Sequence, residues 1–108
     1  MATRKLDKKE WKTFFDRISK ILEGKQAEIE VVSLGLGDQV QAEWIPLYGI
    51  AYDPKDDLVE VILEGLDHMI AKPHEIYVED GTAGLESVEI IDAEGIKQIV
   101  KLRDELES

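Results

Sequence analysis

Cysteine is absent from the 108-residue chain, and that absence removes disulfides, thiolate metal sites, iron–sulfur clusters and cysteine nucleophiles together. A reducing, cytoplasmic compartment is the expectation. Long apolar runs are missing too. No stretch approaches the roughly 20 residues that cross a bilayer as a helix, and Met1 to Asp7 is short and basic, without the apolar centre of a secretory signal. Positive charge is scarce: 13 Lys and Arg stand against 24 Asp and Glu, a formal net charge of −11. Binding to DNA or RNA relies on cations that neutralise phosphates, so no nucleic acid is expected as a partner.

What is present suffices for a folded domain. Hydrophobic residues make up 44% of the chain and charged ones 34%, enough apolar surface for a core and enough charge for solubility. The length fits a single domain over 1–108. Charge is unevenly placed, with eight basic and four acidic side chains in residues 1–25 and an acidic remainder. A basic segment of this kind can meet an acidic surface, either its own or that of a second copy.

Asp7 and Glu10 have the spacing of a capping box and precede Trp11, Phe14, Phe15, Ile18, Ile21 and Leu22, which recur every three or four residues. The spacing predicts an amphipathic helix over about 7–23, ended by Gly24. A lysine-rich helix with aromatic rings can also lie on an anionic membrane. A lid over a sheet explains the stripe more economically, and no membrane partner is expected.

Beyond Gly24 the apolar period changes to two, in Glu28 to Val31 and again in Gln39 to Trp44, with Gly35 to Asp38 as the turn between them. Pro46 cannot donate to a ladder, so the second strand should bend or bulge there. Asp53 to Asp57 is turn chemistry. Leu58 to Glu64, Ile76 to Val78, and two strands joined by Asp92 to Gly95 complete the pattern over about 27–103, with a frayed acidic tail at 104–108. The segment 65–75 has no clear period. Short connections throughout predict an α+β fold in which the N-terminal helix packs on a twisted antiparallel sheet of about six strands, a partial barrel being one form such a twist allows.

Three stretches carry a likeness: Leu47 to Asp57, Gly65 to Ile70 and Pro73 to Val78, followed in the same order by the Asp92-Ala93-Glu94-Gly95 hairpin. Together they resemble a group of uncharacterised small bacterial proteins, a domain of unknown function, over nearly the whole chain. The resemblance implies a free-standing bacterial cytoplasmic protein and brings no activity, ligand or functional residue with it.

The candidate chemistry is concentrated in Glu64, Asp67, His68, His74 and Glu75. Imidazole and carboxylates together can hold a divalent metal, or serve as acid and base near neutral pH. However, His68 and His74 are six apart with Pro73 between, which fits neither a helical nor a hairpin ligand pair. The Gly81-Thr82-Ala83-Gly84 loop lacks the lysine and following helix of a phosphate loop, and Asp53 to Asp57 lacks the glycine of a calcium loop. No cofactor is implied. Tyr48 and Tyr52 flank Gly49 beside the Pro46 bend and could form an exposed ligand-binding strip, whereas Trp11 and Trp44 are expected in the core.

Two functional readings follow. One is a non-catalytic interaction module that contacts an unidentified protein partner or itself, as in a homodimer. The other is a small-ligand or divalent-metal protein, open to hydrolytic chemistry, built around His68 and His74.

Overall fold

The structure, a computed structural model, describes residues 2–33, 35, 37–81 and 84–104. The loop centre at 82–83 and the tail at 105–108 lie outside the described residues.

The chain opens with β1 (Ala2–Lys5), then a single 3₁₀ turn (Lys8–Glu10) leads into α1 (Trp11–Leu22). The capping box forms: Asp7 Oδ1 accepts from the Lys9 amide at 3.1 Å, and the Asp7 amide donates to Glu10 Oε1 at 3.3 Å. Trp11, Phe14, Phe15, Ile18 and Leu22 are the buried side of α1. Ile21, on the same predicted stripe, is left exposed. Gly24, at φ 85°, makes the left-handed exit that a side chain would oppose.

Seven further strands follow: β2 (Lys25–Ser33), β3 (Gly37–Asp53), β4 (Leu58–Leu63), β5 (Leu66–Ala71), β6 (Pro73–Gly81), β7 (Gly84–Asp92) and β8 (Lys97–Asp104). Among the described residues the sheet therefore has eight strands rather than about six, in the order β1-β6-β7-β8-β2-β3-β4-β5, every neighbour antiparallel. Among the described residues it is not closed, since β1 and β5 each have one partner there. The order resolves into two meanders that are continuous in sequence, β2 to β5 and β6 to β8. They join along a seam where β2 pairs β8 from Lys25↔Asp104 to Val32↔Lys97.

The extra strands are β1 and β5. The first has no apolar alternation to betray it. The second occupies the stretch that had no clear period: β5 ends at Ala71, Lys72 turns the chain at φ 53°, and Pro73 opens β6 rather than merely ending a turn. Two backbone hydrogen bonds pin this corner, the Lys72 amide donating to Asp57 O at 2.8 Å and the Ala93 amide to Lys72 O at 3.0 Å.

β3 is the long member. Its first part pairs β2 up to Pro46, and its second part pairs β4 from Leu47 onward. The bend falls at this handover, where Trp44 has φ 50° and both ladders are bulged nearby. Beyond the handover α1 packs on β3, and Ser19 Oγ donates both to Phe15 O, at 2.9 Å, and to Ile50 O on the strand, at 3.1 Å. One apolar cluster joins the helix stripe to inward residues of both meanders, including Ile29, Ile50, Val61, Ile76, Ile90 and Val100.

Candidate functional site

Alternation along a strand decides where the predicted site residues go, because successive side chains leave on opposite faces. On β5, His68 shares the inward face with Ile70 and stands opposite Val61, while Asp67 faces outward opposite Ile62. Half-buried, His68 Nε2 hydrogen-bonds Gln98 Oε1 of β8, and Gln98 is itself a buried polar side chain. His74, on β6, is exposed and borders a cleft of about 400 Å³ with Lys5, Leu6, Asp7, Lys8 and Trp11. Glu64 is exposed in the β4–β5 turn. Glu75 is taken by Lys5 at 3.1 Å, and the hydrogen bond from that ammonium holds its carboxyl below the usual carboxylate range. The structure thus does not bring Glu64, Asp67, His68 and His74 together. Among the described residues no three His, Asp or Glu side chains are grouped as metal ligands.

The two tyrosines also separate. Tyr48 sits at the bulge between Leu47 and Gly49 and is 54% exposed, whereas Tyr52 points inward and is 7% exposed. Its ring meets Trp11 edge-on at 5.2 Å, and its hydroxyl donates to Asp57 Oδ1 at 2.8 Å. Burial first, then the hydrogen bond to Asp57, pushes the Tyr52 phenol up to about 12. Tyr52 is therefore a core residue and leaves no strip with Tyr48. Trp11 is buried as expected, but Trp44 is half-buried on the surface.

The geometry offers two edges instead, and they differ in kind. β1 is four residues long and holds Arg4 and Lys5, which pair with Glu10 and Glu75. Short length and charge are the usual means by which an edge refuses another strand. β5 is six residues long, Leu66-Asp67-His68-Met69-Ile70-Ala71, with neither Lys nor Pro. Leu66 (37% exposed) and Met69 (55%) leave it on opposite faces, and Tyr48 is exposed two strands away. On the outer face Met69 stands opposite Glu60 of β4, and the half-buried Leu58 and Ile62 stand opposite Ala71 and Asp67.

A feature that sequence reasoning missed lies on the seam. The Arg103 guanidinium stacks 4.0 Å from the centroid of Trp44, and its Nε donates to Gln26 Oε1 at 3.0 Å. No sequence signal links residues 44 and 103, since their meeting depends on the bulged β3 ladder and the long-range β2–β8 pairing.

A family model described as a family of unknown function, DUF5335, matches residues 2–108. The chain belongs to DUF5335. It is also similar to an uncharacterized protein of the bacterium Aquifex aeolicus (strain VF5), 41% identical over 104 residues that span 95% of this chain and 94% of that protein. No solved structure matches it. No helix of this DUF5335 chain is long and apolar enough among the described residues to cross a membrane.

Proposed function

We propose that the protein is a small, non-catalytic, cytoplasmic interaction module that works by self-association, the β5 edge of one copy pairing with the β5 edge of another. The observation that supports this reading is the contrast between the edges: β1 is short and cationic, whereas β5 is free of lysine and proline and displays Leu66 and Met69. An open edge presents a row of unpaired amides and carbonyls, and a second strand satisfies them.

The sequence of β5 suits its own copy. Antiparallel pairing about Met69 sets Met69 beside Met69 and Asp67 beside Ala71, while pairing about His68 sets Asp67 beside Met69. In neither register does one Asp67 carboxylate oppose the other, so the like-charge penalty of a cross-strand pair is avoided. A two-fold axis midway between the two paired β5 strands makes the contact isologous and self-limiting.

Sedimentation velocity over a concentration series tests the reading, with Met69→Lys as the variant because a lysine on an edge opposes pairing. The wild type should form a dimer, and Met69→Lys should weaken it at least tenfold without altering the fold seen by circular dichroism. A wild type that stays monomeric to about 1 mM, or a variant that dimerises equally well, would sink the proposal.

A further inference from the structure

On the seam between the meanders, the outer face of the sheet carries a cleft of about 560 Å³ bordered by Trp44, Arg103 and the start of β7, with no residue of β5 in its lining. That volume lies within the range of small-molecule sites, which combine apolar walls with a few fixed polar groups. Leu85, Ile99 and Trp44 supply the apolar wall.

The charges lining it are not all satisfied. Lys25 is bound by Asp104 at 2.7 Å and Lys101 by Glu30 at 3.1 Å, so both ammonium groups already have carboxylates. Arg103 does not. Its Nε goes to the neutral amide of Gln26, and no carboxylate of the described residues lies within ion-pair distance of it, in a chain whose net charge is −11. Placed over the Trp44 ring and held by Gln26, the guanidinium keeps its two terminal nitrogens, which can take a carboxylate through parallel hydrogen bonds.

The platform beneath it is maintained at a cost. Trp44 has φ 50°, a conformation that bulky residues rarely adopt and that persists where the surroundings over-determine it. Glu79 and Glu86 also border the cleft, and neither forms an ion pair among the described residues. The Glu86 carboxylate lies against Gly81, in space that a Cβ at position 81 would fill.

We infer that this cleft binds a short peptide with free termini: its carboxylate on Arg103, its ammonium on Glu79 and Glu86, and an apolar side chain against Leu85 and Ile99. The acidic groups exclude a polyphosphate, whose charge they would repel, and a purely apolar ligand would leave Arg103 unanswered.

Calorimetric titration with dileucine, with dileucine amide and with N-acetyl-dileucine tests the assignment, together with the Trp44 indole N–H resonance. Dileucine should saturate the protein and move that resonance, and both blocked forms should bind at least tenfold more weakly. Arg103→Lys keeps the charge but loses the planar fork, and should weaken dileucine at least tenfold. The exposed change Glu86→Gln should weaken dileucine several-fold while leaving N-acetyl-dileucine unaffected. Either no saturation by about 10 mM dileucine, or equal binding of the amide, or an unchanged affinity in Arg103→Lys, overturns the inference.

Discussion

Tyr52 shows how a single side chain sets a condition for the whole core. Its ring lies against Trp11 and its hydroxyl on Asp57, and the phenol is pushed up to about 12, above its ordinary 10.0, because burial disfavours the phenolate. The protonated form is the one the fold holds. The stabilisation is therefore complete below about pH 10 and is lost as the pH rises through the folded value. Chemical denaturation between pH 8 and pH 12 should show stability falling in the upper part of this range for the wild type, and falling less steeply for Tyr52→Phe. At neutral pH the variant should be about 1 kcal/mol less stable, from the lost hydrogen bond. Residues of this kind were only partly legible in the sequence. Trp11 and Tyr52 both appear as large aromatics, but strand alternation across the Leu47–Gly49 bulge, which sends Tyr48 out and Tyr52 in, cannot be counted from a linear pattern.

Among the elements, α1 was the most legible, because its cap, its three-and-four spacing and its terminal glycine all agree. β5 was not. Its inward row reads Leu66, His68, Ile70 and its outward row Asp67, Met69, Ala71, so each face mixes polar with apolar. His68, half-buried on the inward row, is answered by Gln98 from a strand 30 residues on. β1 was illegible for a different reason: its order comes from β6, through Lys5 and Glu75 and through the Leu6 amide, which donates to Ile76 O at 2.8 Å. Lys5 holds the Glu75 carboxyl low, so its contribution is present above about pH 4.5 and is lost as the pH falls through the lower folded value. Hydrogen exchange at the Leu6 amide, taken relative to the intrinsic rate of a free amide at each pH, should accelerate on acidification in the wild type. In Lys5→Met it should start faster and change less with pH, and a wild-type amide indifferent to pH in this window would contradict the role given to the pair.

At the scale of the whole molecule, the basic segment does not fold back onto the acidic body as a block. Lys5 and Lys25 reach Glu75 and Asp104, and Arg4 and Lys12 pair within the N-terminal segment. Lys8, Lys9, Arg17 and Lys20 have no carboxylate partner among the described residues. Two modes of self-association then differ in their response to salt. Edge pairing through β5 brings together two bodies of net charge −11, so screening should tighten it. Docking of the cationic helix face on a neighbour's acidic sheet should weaken instead. Sedimentation at about 0.05 M and 0.5 M salt separates them, and the proposed edge contact requires the dimer to strengthen.

The place of β8 in the sheet has a consequence for biosynthesis. It is last of the eight in sequence yet lies between β7 and β2, at the junction of the two meanders. On the ribosome, the first meander can assemble around α1 while β2 still waits with a bare flank, and β6 and β7 can form their own hairpin. Only release of the residues around Val100, which face Ile29 on one side and Val88 on the other, lets the two halves close. The nascent chain is thus completed from its middle, and a product cut short before β8 would display two unpaired flanks to the quality-control machinery rather than a nearly finished fold.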